Sequence, residues 1–368
     1  MRVLLLCAYA AGSHLQWREV LCEMLPDWSF EVLELPARHF SWRMRGNALY
    51  WSSAERQALE SGYDVLLATS TVDLATLRGL VPALTRLPTI VYCHENQFAY
   101  PDRAGQQGLV EMQVTSVYTG LAADALVFNS QYNFDSFIAG AAELLGKLPD
   151  FVPPGVVERL TAKSEVLPVP LQPVAGAVRQ RTPGPLRLQW VGRFEYDKGG
   201  ELLAAILAQL ERLDLDYELA VTGQQFRRCP AVFDAIRETY AHRLVQFGYE
   251  TSRQDYLAQL ARADIVLSTA WQEFQGLAVM EAVQRGACPV VPDRLAYPEI
   301  YPAACRYPDV PDDAQAEAAG AAQLIVRTAR VLRKQRQPCP DLAAFEVPAL
   351  EPRYRALFEA VRARQGNS

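Results

Sequence analysis

Short apolar runs recur along the chain, each followed by a segment in which apolar positions return every three or four residues. In the first half the runs are "RVLLLC" from Arg2, "FEVLEL" from Phe30, "DVLLA" from Asp64, "TIVYC" from Thr89 and "ALVF" from Ala125. In the second half they are "LRLQWV" from Leu186, "YELAV" from Tyr217, "LVQF" from Leu244, "IVLS" from Ile265 and "CPVV" from Cys288. Runs this continuous suit parallel strands covered on both faces. Segments such as 201–213 and 231–243 have helical spacing and length. Alternation of this kind predicts a doubly wound α/β architecture.

The alternation breaks at "PLQPVAGAVRQRTPGP", from Pro170 to Pro185, where prolines and glycines erase any periodicity. A chain of 368 residues exceeds one ordinary core. The expected layout is therefore a Rossmann-like domain over 1–170, a linker over 171–185 and a second domain over 186–350. A C-terminal helix over 351–368 follows, with Tyr354, Leu357, Phe358 and Val361 on one stripe. The two domains are expected to face a central cleft.

Composition narrows the class. Half the residues are apolar and 21% are charged, as in a well-buried globular protein. No apolar run is long enough to span a bilayer, and Met1–Cys7 reads as a buried first strand rather than an export signal. Seven cysteines lie scattered without a CxxC or metal-ligand spacing, which predicts reduced thiols and a cytoplasmic location. A net charge of −6 and a pI near 5.4 exclude a wide basic surface for nucleic acid but leave room for a local patch.

Candidate chemistry gathers at strand ends. "WVGRFEYDKGG" from Trp190 ends a strand in a glycine turn that carries Arg193 and Lys198. Two cations beyond the carboxyl end of a parallel strand suit a diphosphate, though a solvated turn has the same composition. "AWQEFQGLAVMEA" from Ala270 places Glu273 before a helix entered at about Leu277, with Glu281 over a turn further in. The first-turn N–H groups of such a helix favour phosphate. Each carboxylate can accept from two adjacent hydroxyls, so one acid suits a transferred sugar and the other a ribose diol. The competing reading is a solvated Glu273 and a Glu281 paired with a neighbouring helix. "DLD" at Asp214–Asp216 has metal-site spacing but sits in a helix-to-strand connection and reads as solvated caps; no metal ligand is assigned.

Three stretches stand out in the first half. "AYAAGSH" supplies Gly12, Ser13 and His14 at a strand-to-helix turn, with Ser13 placed as an N-cap. "HENQ" puts His94, Glu95, Asn96 and Gln97 just past a strand, either as a cleft wall or as an ordinary polar loop. "PARHFSWRMRGNALYWS" from Pro36 mixes Arg38, His39, Arg43 and Arg45 with Phe40, Trp42, Tyr50 and Trp51. Cations bind phosphates and aromatics stack on unpaired bases, while the same mixture also makes a packed flap with solvated arginines.

Glu-x7-Glu in "EFQGLAVMEA", with "VGRFEYDKG" and "VTGQ" at Val221–Gln224, resembles the C-terminal domain of retaining GT-B glycosyltransferases of family 4. The resemblance implies that Arg193 and Lys198 bind the donor diphosphate, Glu273 the sugar hydroxyls and Glu281 the ribose. It puts Phe274, Gly276 and Leu277 at the donor's helix entrance and Tyr249, after Gly248, beside the base. "GSH", "LPARHFSWRMRGNALYWS", "HENQFAYP" and "LAADALVFNS" resemble the N-terminal domain of the tRNA-queuosine α-mannosyltransferases. That likeness implies GDP-mannose as donor, queuosine in a tRNA anticodon loop as acceptor, and no metal cofactor or membrane partner. Gly12 and His94 would then serve the donor phosphate and the transferred sugar, with Ser13, His14, Arg38, Trp42, Arg43, Arg45, Asn96 and Gln97 on the acceptor side. A lipid or polysaccharide acceptor, a nucleotide-sugar epimerase and a non-catalytic binder are the alternatives.

Overall fold

The computed structural model describes residues 1–99, 108–174, 184–225, 229–334 and 340–364. They form two units, one of Met1–Gln172 together with the chain from Ala343 onward, the other of Pro173–Leu342.

Unit 1 is built on six strands: β1 (Arg2–Ala10), β2 (Ser29–Pro36), β3 (Val65–Thr69), β4 (Thr89–Cys93), β5 (Ala125–Phe128) and β6 (Ser164–Val166). All pair in parallel, in the order β2-β1-β3-β4-β5-β6. Val3 to Ala8 of the inner strand β1 are buried on both faces, which is why that run is apolar without alternation. β2 is an edge strand, and only Leu35 on it is fully buried. The chain leaves β1 for β2 on one flank and returns to β3 on the other. A ligand crevice is therefore expected at the carboxyl ends of β1 and β3.

Unit 2 repeats the principle with β7 (Leu186–Val191), β8 (Tyr217–Thr222), β9 (Leu244–Gly248), β10 (Ile265–Leu267), β11 (Cys288–Pro292) and β12 (Arg306–Tyr307). Their parallel order is β12-β11-β10-β7-β8-β9, so the winding reverses between β7 and β10. Each sheet carries its own apolar core. The expected helices are present as Gly200–Arg212 and Ala231–Thr239.

The C-terminal helix spans Val347–Arg364 and starts before the stripe seen in the sequence, passing through Pro352. Leu350, Tyr354, Leu357, Phe358 and Val361 are buried on it, each contributing about 1.5–3 kcal/mol through burial. The helix belongs to unit 1: Phe358 packs on Trp28, and Arg355 pairs with Asp27 at 2.6 Å. Residues 343–350, assigned from the sequence to the second domain, also stand with unit 1. The physical reason is a backbone bridge in which Leu171 donates to Phe345 and Val347 donates to Leu171. Most of the anticipated linker, 175–183, lies outside the described residues.

Candidate active site

In unit 2 two loops leave the sheet where its winding reverses. One follows β7 and closes with the turn Tyr196–Lys198 before helix Gly200–Arg212. The other follows β10 and runs to helix Leu277–Gln284. They interlock. The Asp197 carbonyl accepts from the Trp271 and Gln272 amides at 2.8 and 3.2 Å. The Thr269 hydroxyl donates to the Lys198 carbonyl at 2.8 Å and accepts from the Trp190 indole at 2.9 Å. Gly199 sits between them at φ +69°, and a Cβ there would lie 2.0 Å from the Thr269 carbonyl. Only glycine fits both the conformation and the gap.

The cations meet in this cradle. Lys198 Nζ donates to the Gln272 carbonyl at 2.7 Å and pairs with Glu273 at 3.2 Å and Asp197 at 3.4 Å. Burial opposes the Lys198 charge, but Glu273 and Asp197 outweigh it and hold its pKa above the ordinary value. Arg193 reaches Glu195 at 3.0 Å and Asp197 at 3.9 Å, so Asp197 is a partner common to both cations. Gly276 caps helix Leu277–Gln284 in the left-handed region, which aims the first-turn amides of a short apolar helix outward beside Phe274 and Glu273. Tyr249 follows β9 and is well exposed.

Glu281 is buried in helix Leu277–Gln284, and both its oxygens are engaged by Arg253, one at 3.2 Å and the other in a close ion pair. The Tyr256 hydroxyl also bonds to it; burial and the Glu281 charge raise the Tyr256 pKa. The pairing with a neighbouring helix is therefore present in this structure. Arg253 itself is half exposed. Asp214–Asp216 lie before β8, at its amino end and away from the loops that follow β7 and β10.

In unit 1, His14 follows β1 and His94 follows β4, and their rings meet at 4.2 Å. Both are buried. Trp17 and Tyr92 each contact the His94 ring at 4.7 Å and stack on one another at 4.6 Å. Tyr354 of the C-terminal helix fixes this box: its hydroxyl accepts from the Trp17 indole at 3.3 Å, contacts the Tyr92 hydroxyl at 3.2 Å and donates to the Pro168 carbonyl at 3.0 Å. Burial and then His14 push the His94 pKa well below its ordinary value. The ring is neutral, and its Nε2 has no partner among the described residues. Gly12 and Ser13 are exposed at the start of helix Gly12–Met24, with nothing near the position of a Gly12 Cβ.

Several expectations need correction. The N-cap of helix Gly12–Met24 is Ala11, without a side-chain cap, so Ser13 lies one turn-position inside the helix. Asn96 is buried, and its amide is consumed by Asn133, Ser136, Phe98 and Ala99. Its side chain braces the loop and has no group left for an acceptor. Gln97 is likewise buried. The stretch from Pro36 is a helix, Phe40–Ala54, packed through Met44, Asn47, Ala48 and Trp51. Trp42, Leu49 and Tyr50 are exposed on it, and Arg38 is exposed just ahead of it. Arg43 donates to the Pro36 carbonyl at 3.2 Å. Arg45 pairs with buried Asp73 at 3.2 Å and bonds to Thr115 at 2.9 Å, so it also serves the fold. Packed helix and exposed basic–aromatic edge thus coexist.

Asp197 and Arg253 were not singled out from the sequence, and Tyr354 was placed only on the stripe of the C-terminal helix. Asp197 abuts Lys198 in "EYDKGG" and was within reach; nothing in the sequence links Arg253 to Glu281 or Tyr354 to His94.

A family profile described as tRNA-queuosine alpha-mannosyltransferase N-terminal matches residues 2–171. A second, described as family 4 glycosyltransferase in conflict systems, matches 156–294. A Drosophila melanogaster protein named tRNA-queuosine alpha-mannosyltransferase is 36% identical over 310 residues, covering 82% of this chain and 81% of its own. A glycogen synthase of Mycobacterium tuberculosis is 30% identical over 152 residues, 41% of this chain and 36% of its own. Among solved structures, Anabaena HepE in complex with UDP and glucose aligns with a TM-score of 0.66 at 13% identity, covering 98% of this chain and all of its own. Sucrose-phosphate synthase from Thermosynechococcus elongatus aligns at 0.64 and 15% identity, covering 100% and 98%.

Proposed function

The chain belongs to the tRNA-queuosine α-mannosyltransferase family, and we propose that it moves mannose from GDP-mannose to the cyclopentene diol of queuosine at the tRNA wobble position, with retention. The observation that carries this is the extent of the likeness to the Drosophila protein, which runs through most of both chains.

In the proposed reaction, Arg193, Lys198 and the first amides of helix Leu277–Gln284, with Phe274, Gly276 and Leu277 at its entrance, hold the diphosphate. They stabilise the charge that grows on it as the glycosidic bond breaks. Their fixed positions, set by the interlocked loops, mean that little reorganisation accompanies that step. Glu273 orients the sugar hydroxyls. The ribose diol takes Glu281 in place of the half-exposed Arg253, and Tyr249 borders the base. Neutral His94, held by its aromatic box, offers Nε2 to the transferred sugar, while Gly12 lets phosphate approach the backbone. On the acceptor side, Ser13 and His14 lie beside the His94 loop, and Arg38, just ahead of helix Phe40–Ala54, joins exposed Trp42 and half-buried Arg43 on it as a basic–aromatic edge. The queuosine hydroxyl attacks from the face the diphosphate leaves, and the departing phosphate oxygen takes its proton. No side-chain base is needed. The charge that a metal supplies in other transferases is supplied here by Arg193 and Lys198, so the transfer is proposed to be metal-independent. No helix among the described residues is long and apolar enough to cross a membrane. The proposed location is the cytoplasm, where queuosine tRNA is met.

The test is incubation of the purified protein with GDP-mannose and queuosine-containing tRNA, followed by nucleoside mass spectrometry. A product heavier than queuosine by one hexose is expected. Absence of that product refutes the donor assignment if another nucleotide sugar is turned over on the same tRNA, and the acceptor assignment if only another acceptor is modified.

A further inference from the structure

Helix Ala314–Lys334 of unit 2 carries Arg327, Arg330, Arg333 and Lys334, all exposed. Among the described residues none of the four has an ion-pair or side-chain hydrogen-bond partner. Elsewhere exposed Arg56 pairs with Glu60 and Arg237 with Asp234, while among the described residues Arg38, Arg86 and Arg212 stand unmatched but singly, each on a different element or loop. The sequence holds no acidic residue between Glu317 and Asp341, in a chain whose net charge is −6. Arg333 and Lys334 have a local explanation, since cations in a helix's last turn oppose its dipole. Arg327 and Arg330 lie before that turn and have none.

The opposite end of the same helix is tied to the donor site. Buried Glu317 pairs with Arg294 at 2.7 Å, and Arg294 donates to the Ala270 carbonyl at 3.1 Å and lies 4.2 Å over the Trp271 ring. At 1.5 Å per residue, Arg327 lies about 15 Å and Lys334 about 25 Å along the axis from Glu317. A helix of this stiffness thus puts four unmatched cations at a fixed remove from the loop that holds Glu273.

Resting on the tRNA reading above, we propose that this ridge docks the phosphate backbone of the acceptor RNA away from the modified nucleoside. Arg327, Arg330 and Lys334 succeed one another over two turns, so the ridge offers a line of charge about 10 Å long, enough for two or three successive phosphates. An anionic membrane is the other polyanion in reach. A helix lying on a bilayer inserts an apolar face beside its basic one, and among the described residues no large exposed hydrophobic side chain lies on this helix. The chemistry fits a backbone that is read by charge alone.

The test replaces the four cations with glutamine (Arg327→Gln, Arg330→Gln, Arg333→Gln, Lys334→Gln). A companion carries Arg327→Lys, Arg330→Lys and Arg333→Lys. Binding of queuosine-containing tRNA is measured across a salt series. Each lost phosphate contact lowers the salt slope by about one, so a drop of about two is expected for the glutamine variant. Its deficit against wild type then shrinks about 16-fold over a fourfold rise in salt. The lysine companion should keep the wild-type slope, which a packing role of the guanidiniums would not allow. GDP-mannose hydrolysis and binding of an oligonucleotide limited to the anticodon loop should be unchanged in both. An unaltered slope in the glutamine variant, with wild type active on tRNA, overturns the ridge alone. A loss confined to phosphatidylcholine–phosphatidylserine vesicles also overturns it. If wild type neither binds nor modifies the tRNA, the acceptor reading and the ridge fall together.

Discussion

His94→Phe should flatten the acid dependence of stability. The ring is buried against His14, Trp17 and Tyr92, and burial holds its pKa well below the ordinary value. An unfolded chain exposes the same histidine to water, where it titrates near about 6.5. Below that pH the unfolded state takes up a proton that the folded state refuses, so stability falls as pH falls until the folded group itself titrates. Proton uptake favours the unfolded chain by about 1.4 kcal/mol at about pH 5.5 and by about 0.1 kcal/mol at about pH 7.5. Phenylalanine fills the same aromatic site and does not titrate. Urea unfolding of the two proteins at both pH values should therefore show wild type losing up to about 1.3 kcal/mol more than the variant, the groups away from the His14–His94 pair being common to both. The same variant lacks Nε2 and should lose turnover at neutral pH while remaining folded. Parallel pH dependences would refute the reasoning, because His94 would then be titrating freely in a hydrated site.

Lys198→Met should lower turnover with GDP-mannose by about 100-fold or more, the scale of losing one preorganised donor to a developing negative charge. It should also lose about 1–3 kcal/mol in urea unfolding, since Asp197 and Glu273 are left facing each other in partial shelter from water. With the Lys198 pKa raised in the folded state, that contribution is complete below the unfolded pKa and fades as alkaline pH passes the folded one. Tyr354→Phe removes the hydroxyl that joins Trp17, Tyr92 and Pro168, and should cost about 1–3 kcal/mol through buried groups left unpaired. Because the box holds His94, kcat should fall while KM for the donor stays constant; equal changes in both would count against a positioning role.

Eight of the ten strands read from the sequence were legible because an inner parallel strand is buried on both faces and its sequence has no room for polar alternation; β2 and β9, at sheet edges, showed only as short apolar-rich runs. β6 and β12 escaped notice: three residues and two residues respectively at sheet edges carry no run to detect. The return of the C-terminal helix to unit 1 was also hidden. The stripe of Tyr354, Leu357, Phe358 and Val361 shows that something covers the helix and is silent on what. Contacts distant in sequence settle it: the backbone bridge at Leu171 and Glu346, the packing on Trp28, the Arg355–Asp27 pair and the bonds of the Tyr354 hydroxyl.

Site residues were legible where they share a strand end and illegible where a long-range partner decides their state. Arg193, Lys198 and Glu273 stand beside a switch point that strand order alone fixes. Glu281 was visible as an acid on a helix, but Arg253, which grips it, comes from another helix with no local signal. Asn96 looked available because four polar residues in a row suggest a wall; its amide is spent on Asn133 and Ser136, far along the chain. Net charge left a local basic patch open for a related reason. It sums over the whole surface, whereas a polyanion within a Debye length of about 8 Å responds to the cations on one helix face and hardly to carboxylates on the far side. On the reading proposed above, the RNA backbone meets Arg327, Arg330, Arg333 and Lys334 along one ridge while the modified nucleoside reaches the basic–aromatic edge of unit 1, and the remaining negative charge disfavours approach through the acidic faces.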